Sequence, residues 1–392
     1  MGEVYKYALC NIAATAAPDS TYGCFRNKSG HSATGCSLWI DCEGLPNGVF
    51  HCLPEDLWED KISSAPLNRR AWVVQERLLS PRILHFGADQ LYFECCETSA
   101  CETCPAGLEG DIAPTSKKLE LSLCPLPYKL AFDFRRSGEQ SDDHLLKFLH
   151  AWSEVVTTYS EGKLTREEDK LVALSGLAKE MKSRFCGDIE YLAGLWRQDL
   201  AAQLLWSVIS KGRKYSLPTT QAPSWSWASI DGLILAGSGT RPDEITLMSV
   251  LEAKVNSNGF DTMVHNHDGQ LRVKGRLFRA EIAPENPRDL RFSLRRGYVQ
   301  GTALIACRLD VPTTIRKCGP NIHLMPVKYD WFNKSLKGLI LEPTQVVKGQ
   351  FQRYGTFSAS EGSLNTFNNS HEKEEVEYEV YDGINEFVIT II

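Results

Sequence analysis

The spacing of apolar residues changes near residue 224, and this change constrains the fold more than any other feature of the sequence. Before it, apolar residues recur every three or four positions, as on one helix face, in three stretches: 142–162, 170–181 and 195–209. After it, polar and apolar residues alternate between Gly, Asn and Pro, which is typical of strands and turns. The alternating runs are VLEAKV, QLRVKGRLFRAEI, GYVQGTALIACRL, HLMPVKY, LKGLILEPT, QFQRYGTF and FVITII. The sequence therefore predicts a helical region followed by a β-rich module.

The first hundred residues carry weaker patterns. Tyr5, Ala8, Ile12 and Ala16 have helical spacing and predict a helix at the start. The stretch 21–66 is broken by Gly, Cys and Pro, so only two short strands are expected there, in SLWIDCE and GVFHCL. A short helix is predicted to end before Pro81, and strands in RILHFG and QLYFEC follow it.

These patterns divide the chain into four parts. The stretch 106–140 mixes Pro, Gly, Ser and charged residues without a period, which indicates a linker or an insertion. We expect an α+β chain with a mixed region at 1–105, this linker, a helical region at 141–223 and a β-rich C-terminal module at 224–392. Trp225 and Trp227, two residues apart on an expected strand, predict a buried seam between the last two parts.

Composition excludes several classes of protein. The chain has 392 residues, of which 43% are apolar, enough for about two to three domains and too many for a disordered chain. Acids outnumber Lys and Arg by 49 to 43, so the formal charge of -6 has the wrong sign for nucleic-acid binding. No apolar run is long enough to span a membrane. The 13 cysteines are odd in number and scattered, which favours reduced thiols and a cytoplasmic location.

Motifs for cofactors and metals are weak. Gly237 and Gly239 lack the third glycine of a dinucleotide loop, and neither a Walker A motif nor a G-x-S-x-G elbow occurs, so no cofactor is expected. A zinc site is one interpretation of Cys95, Cys101 and Cys104, but reduced thiols without a metal are favoured. A polar hairpin turn is likewise favoured over a metal pair formed by His265 and His267.

Two charged features allow both a structural and a functional interpretation. The first is a basic cluster made of Arg288, Arg291, Arg295 and Arg296. A solvated strand face is favoured there over a phosphate contact. The second is Glu76, on the same side of its short helix as Trp72, where a buried carboxylate would need a cation. A structural pair with one of the neighbouring arginines, Arg69, Arg70, Arg77 or Arg82, is favoured over catalytic acid–base chemistry by Glu76.

An ordered set of motifs resembles the fungal heterokaryon-incompatibility (HET) domain. In RRAWVVQERLLSPRILHFGADQLYFEC, an Arg-x-Trp, a Gln-Glu pair, a Leu-Ser-x-Arg and an aromatic-Glu-Cys ending follow in the order of the family. The matching residues are Arg70, Trp72, Gln75, Glu76, Leu79, Ser80, Arg82, Glu94 and Cys95. The opening MGEVYKYALCNIAATAAPDSTYGCF resembles a middle segment of that domain. Later segments, SGLA at 175–178, YLAGLW at 191–196 and APSWSWAS at 222–229, are similar to the region that follows it in many fungal proteins.

The resemblance implies that the chain begins inside the HET domain. The family's Tyr-x-Ala-Leu-Ser-Tyr-x-Trp-Gly stretch and its Trp-Ile-Asp-x-x-Cys-Ile-x-Gln stretch have no counterpart ahead of the opening segment. That N-terminal half is the part thought to resemble the Toll/interleukin-receptor α/β fold, with a link to NAD cleavage. Region 1–105 is therefore expected to be a partial, truncated α/β HET domain, and no site of the other half is carried over to it.

The function that the resemblance implies is nonself recognition and programmed cell death in a fungus, or a degenerate form of it, exerted through an unknown protein partner. The alternative is an enzyme acting on a small secondary metabolite. Its pocket would lie between the helical and β parts, lined by Trp72, Glu76, Trp225 and Trp227. No catalytic motif is recognisable, and neither a nucleic acid nor a membrane is expected as a partner.

Overall fold

A computed structural model describes most of the chain. The described residues are 2–25, 36–44, 47–108, 142–185, 187–209, 222–257, 266–283, 291–293, 305–311, 322–360 and 376–392. The chain divides into two compact units. The first unit comprises Met1–Gly138, Glu161–Thr165 and Gly176–Cys186, and the second comprises Glu139–Ser160, Arg166–Ser175 and Gly187–Ile392. The structure contains both helices and mostly antiparallel sheets, which confirms the predicted α+β class.

The first unit is built around a small mixed sheet and a short helix. Its elements up to Cys101 are α1 (Gly2–Tyr7), β1 (Asn11–Ala13), β2 (Cys36–Ile40), β3 (Gly48–Cys52), a π-helix (Glu59–Ser63), a 3₁₀ turn (Leu67–Arg69), α2 (Ala71–Leu79), β4 (Arg82–Phe86), β5 (Leu91–Cys95) and β6 (Ser99–Cys101). The four-stranded sheet has the order β1-β4-β5-β6, with β1 parallel to β4 and the other pairs antiparallel. Strands β2 and β3 form a separate antiparallel pair, as expected from SLWIDCE and GVFHCL.

The predicted opening helix is only half correct. Helix α1 ends at Tyr7, and Ile12 lies on strand β1 opposite Leu84 of β4. Periodicity failed here because a short apolar run does not distinguish a helix from a strand, and pairing with β4 decides the outcome. Helix α2 and strands β4 and β5 are where the sequence placed them. Ser80 is extended, as a residue before proline should be, so the helix ends ahead of Pro81.

Two helices follow the strands of the first hundred residues. They are α3 (Asp142–Glu161) and α4 (Val172–Arg184), with a 3₁₀ turn at Glu167–Asp169 between them. Both confirm the predicted helices. The division between the two units falls near the end of α3 and within α4, because Gly176–Cys186 belong to the first unit.

The second unit is dominated by one large sheet. Its strands and short helices are β7 (Tyr191–Leu192), β8 (Leu195–Trp196), α5 (Leu200–Gln203), β9 (Ser207–Ile209), a 3₁₀ turn (Trp227–Ser229), β10 (Leu233–Leu235), β11 (Glu244–Thr246), β12 (Ser249–Ser257), β13 (Asn266–Gly275), β14 (Phe278–Ala283), β15 (Arg291–Ser293), β16 (Ala306–Leu309), β17 (Ile322–Asp330), β18 (Ser335–Pro343), β19 (Gln350–Ser360), β20 (Val380–Tyr381) and β21 (Phe387–Ile391). Among the described residues, 11 strands form this sheet, with the path β12-β13-β21-β19-β18-β17-β14-β15. The β-rich prediction for this part of the chain is correct.

Two predictions for the second unit are wrong. The expected third helix at 195–209 is instead strand β8, the four-residue helix α5 and strand β9. The leucines of this stretch belong to three short elements that are all buried, and their spacing only imitates that of a helix. Asp199 adopts a left-handed conformation, which interrupts any longer helix. The WSWAS segment is a 3₁₀ turn rather than a strand, with the Ser226 side chain accepting the Ala228 N–H at its start.

The tryptophans of this turn are buried, as predicted, and they join helix α3 to the large sheet within the second unit. The Trp227 ring stacks edge-on against Tyr159 of α3, with centroids 6.1 Å apart, and its indole N–H donates to the Gly194 carbonyl. The Trp225 indole N–H donates to the carbonyl of Gly269 on β13 at 3.4 Å. Both rings thus occupy a core with their polar atoms paired.

Some predictions fall outside the described residues. These are most of the linker at 106–140, His265, and Arg288, Arg295 and Arg296 of the basic cluster. The boundaries 105, 140 and 223 of the four predicted parts stay predictions. No helix in the described part of the chain has both the length and the apolar character needed to cross a membrane.

Candidate functional site

The start of helix α2 is fixed by a second segment of the first unit. The Ala71 amide donates to the Lys163 carbonyl at 3.1 Å, and the Lys163 amide donates to the Arg69 carbonyl at 2.7 Å. One of the amides left unpaired at a helix start is thereby satisfied. Gly162 makes this approach possible, because a Cβ there would lie 2.4 Å from the Cα of Ala71.

Gln75 joins two of the motifs that are far apart in the sequence. Its side chain is buried, and its Oε1 accepts the backbone N–H of Gly176 at 3.0 Å. Gly176 is the glycine of the SGLA segment, and a Cβ at this position would lie 2.6 Å from the same oxygen. The Gln-Glu pair of one motif and the glycine of the other therefore have a shared structural role in the first unit.

Glu76 does not form the predicted ion pair. It is half-buried, and it lies close enough to Tyr5 of helix α1 to act on the Tyr5 hydroxyl. Burial raises the pKa of Tyr5, and the neighbouring Glu76 carboxylate raises it further, to about 12. The choice between a structural and a catalytic role for Glu76 stays a prediction, and the group on which its charge acts is a tyrosine. Sequence spacing offered only the arginines nearby and missed this contact across helices.

Glu94 on β5 is a buried carboxylate of the first unit. Arg77 of α2 donates to it through two parallel hydrogen bonds, Nε to Oε1 at 2.7 Å and Nη2 to Oε2 at 2.8 Å. His85 of β4 lies on the other side, with its Nε2 3.4 Å from Glu94 Oε1 and its Nδ1 2.8 Å from the Thr15 hydroxyl. Four polar side chains thus lie in a row from helix α2 through β5 and β4 to Thr15, which follows β1: Arg77, Glu94, His85 and Thr15.

Electrostatics keep Glu94 ionised. Burial alone would raise its pKa, but the charge and the two hydrogen bonds of Arg77, with a smaller contribution from the nearby His85, outweigh that effect and hold the pKa well below its usual range. Trp58 covers the group, with its ring centroid 6.2 Å from that of His85 and 6.0 Å from the Arg77 guanidinium carbon. A carboxylate with so low a pKa is a poor general acid or base near neutral pH, so the cluster is suited to holding the sheet on the helix.

The other motif residues have mixed surroundings. Ser80 is buried and donates its hydroxyl to the Glu76 carbonyl at 2.7 Å, which caps the end of helix α2. Trp72 and Cys95 are half-buried, whereas Arg70 and Arg82 are exposed. The structure therefore gathers Gln75, Glu76 and Ser80 with Glu94 around α2, and it leaves both motif arginines at the surface.

The candidate zinc thiolates are only partly brought together. Cys101 is buried, Cys104 is half-buried, and the two residues exchange backbone hydrogen bonds across a tight turn. Burial raises the pKa of the Cys104 thiol, and the neighbouring Cys101 raises it further. Within the described ranges, no group of three His, Cys, Asp or Glu side chains is placed to hold one metal ion.

The proposed metabolite pocket draws on residues of both units, so it stays a prediction. Trp72 and Glu76 belong to the first unit, and Trp225 and Trp227 belong to the second. Both tryptophans of the second unit are buried, and both indole N–H groups donate to backbone carbonyls. Their packing explains why the sequence carries them without requiring a ligand.

Comparison with known families connects this arrangement to a class of protein. The family model described as heterokaryon incompatibility protein (HET) matches residues 1–76. The first unit thus carries a HET-related segment in an α+β protein, and the resemblance predicted from its motifs is confirmed for those residues. No curated protein and no solved structure matches this chain. Since the match ends at Glu76, the cluster of Arg77, His85 and Glu94 follows directly after it.

Proposed function

We propose that this chain is a fungal heterokaryon-incompatibility factor that contributes to nonself recognition and programmed cell death by binding another protein. The relation of residues 1–76 to the heterokaryon-incompatibility family supports the biological setting. The finer choice between an interaction and a catalytic role depends on the surface and on the charged groups of the first unit.

The surface of residues 2–25 carries the proposal. Large apolar side chains stand out there, with exposed fractions of 83% for Leu9, 64% for Ile12 and 88% for Phe25. Val4, Tyr7 and Tyr22 are also more than half exposed. Scattered single apolar residues need no explanation, but six within one short segment favour a protein contact.

Strand β1 offers a means of binding. It is the terminal strand in the order β1-β4-β5-β6, and among the described strands it pairs only with β4. A terminal strand presents backbone donors and acceptors along one side, and an incoming extended segment can pair with them. Ile12 and Leu9 beside that edge would add apolar contact area to such pairing.

The charged groups support interaction over catalysis. Glu94 and Arg77 are buried and hydrogen-bonded to each other, and the Glu76 carboxylate acts on the Tyr5 hydroxyl. A catalytic acid or base needs a pKa near the working pH and access to a substrate. Glu94 meets neither condition, because it is buried and its pKa is held low, so we assign Glu94 and Arg77 to the scaffold that presents the segment 2–25.

The test is induced expression of the whole chain in a filamentous fungus, with colony growth and soluble protein measured on the same cultures. We expect growth arrest with the wild-type chain. The variant Leu9→Lys/Ile12→Lys should restore growth at an unchanged soluble level, since it puts charge into the apolar surface. The matched control is Val346→Lys/Val347→Lys, which makes the same change at two exposed valines of the second unit.

The outcomes separate clearly. Healthy cells containing abundant soluble wild-type protein would refute the cell-death proposal and would turn attention to the metabolite-enzyme alternative. Equal restoration of growth by the control variant would contradict the assignment of binding to the segment 2–25.

A further inference from the structure

The first unit contains a cavity that the HET motifs do not explain. It has a volume of about 190 Å³ and lies among helix α1, the end of helix α2 and the part of α4 that belongs to the first unit. Leu78 and Leu177 form apolar walls, and Cys96 lies at the rim. Lys6, Glu180 and Arg184 stand together on another side.

The three charged residues form a linked group with one surplus positive charge. Lys6 Nζ lies 2.5 Å from Glu180 Oε2, and Arg184 Nε lies 2.7 Å from Glu180 Oε1. The Glu180 side chain is only 11% exposed. Burial raises its pKa, but the hydrogen bonds from Lys6 and Arg184 outweigh burial and lower it overall. Glu180 therefore stays ionised at neutral pH and neutralises one of the two cations.

The two cations keep donor capacity for a second anion. An ammonium group has three N–H donors, and its bond to Glu180 uses one of them. The guanidinium engages Glu180 through Nε, so its two terminal amino groups are not used by that pair. A carboxylate is the anion that matches such donors with two oxygens and one charge.

We propose that this cavity binds a small monocarboxylic acid with an aromatic or aliphatic body. A cavity of roughly 150 Å³ lined by apolar side chains accommodates benzene. The 190 Å³ here suits one ring or a short alkyl chain plus a carboxylate, and it is too small for a nucleotide. A single surplus charge favours a monoanion over a phosphate dianion. This ligand site shares Tyr7 with the apolar surface proposed to contact a protein, but Leu9, Ile12 and Phe25 do not line it.

Cys96 provides a direct readout, because its thiol is exposed at the rim of the cavity. Phenylacetate is the probe, and phenylacetamide is its uncharged counterpart. The full chain is treated with iodoacetamide at rising probe concentrations, and alkylation of Cys96 is measured by peptide mass spectrometry. Cys10, which is also exposed and does not line the cavity, is the internal reference.

We expect phenylacetate to slow alkylation of Cys96 saturably and to leave Cys10 unaffected. The concentration for half protection should rise at least tenfold for phenylacetamide, for Lys6→Met and for Arg184→Met. Lys182→Met is the matched control, because Lys182 is exposed on the same helix and does not line the cavity. Unchanged alkylation of Cys96 without the probe shows that each variant retains the local fold.

Three results would overturn the proposal: no protection by phenylacetate at any soluble concentration, equal protection by the acid and the amide, or a loss in Lys182→Met as large as in Arg184→Met. These results do not depend on the growth assay, so failure of this site and failure of the cell-death proposal are distinguishable.

Discussion

Replacing Arg77 by Met removes the cation that keeps Glu94 ionised in the interior of the first unit. Both side chains are largely buried, at 9% and 8% exposure, and two hydrogen bonds join them. Removing one partner of such a pair costs about 3–5 kcal/mol, since it leaves a buried charge without compensation. His85, 3.4 Å from the carboxylate, offsets part of this cost, so we expect a loss near 3 kcal/mol, at the lower end of the range.

Hydrogen exchange measures this loss where it occurs. A decrease of about 3 kcal/mol corresponds to roughly a hundredfold faster exchange of amides that open with the pair. We expect that effect in strands β4 and β5, at 82–95, and no change in strand β18 of the second unit. The double variant Arg77→Met/Glu94→Met should recover most of the protection, because it buries no unpaired charge. Exchange within twofold of wild type in Arg77→Met, or additive losses in the double variant, would refute the reasoning.

Three further predictions follow from the buried polar groups. The Glu94 pKa lies below its ordinary value of 4.5, so its stabilisation is complete above that pH and is lost as pH falls. Between pH 6 and pH 3 the free energy of unfolding of the first unit should fall by about 2 kcal/mol, and it should fall by less in Glu94→Gln. Hydrogen exchange, normalised for the intrinsic pH dependence of amide exchange, measures both decreases. Arg353→Met leaves the buried Asp310 carboxylate without the Nε donor that lies 2.9 Å from it. The free energy of unfolding of the second unit, measured by urea denaturation, should decrease by about 3–5 kcal/mol. An unchanged urea midpoint would contradict it. The Tyr5 pKa of about 12, measured by NMR of its ring carbons, should move toward 10.0 in Glu76→Gln, and no movement would rule out their contact.

The sequence predicted the helices and strands that are determined by residues close together in the chain. Helix α2 ends where Pro81 requires it, and strands β4 and β5 follow from alternating apolar residues. Helices α3 and α4 and the large sheet were also predictable, since their patterns are long enough to separate the two periods. The motif order led to a resemblance to the HET family, and the match of the family model confirms that resemblance for residues 1–76.

The elements that were missed depend on contacts distant in sequence. Strand β1 exists because it pairs with β4, about 70 residues further along the chain. The WSWAS turn is set by the core around Tyr159 and Gly269. Short apolar runs carry no information about such partners, so periodicity alone assigned them wrongly.

The candidate sites were harder to predict than the fold. Glu94 was recognised as a motif residue but not as the buried partner of Arg77, although its burial was signalled by the alternation of β5. Glu76 was selected as a candidate because it lies on the same side of its helix as Trp72, yet the group whose pKa it changes is Tyr5 of another helix. The charged group at the cavity joins Lys6 to Glu180, two residues that are 174 positions apart, and no spacing rule connects them.

The measurement that tests the central claim most directly compares growth arrest by the wild-type chain with growth arrest by Glu76→Gln, at equal amounts of soluble protein. Glutamine has nearly the same size and shape as glutamate and keeps an acceptor oxygen, but it cannot act as an acid or base. If the chain acts by binding a protein, the two should arrest growth equally. Normal growth with Glu76→Gln, beside arrest with wild type, would contradict the interaction account and indicate catalysis at Glu76.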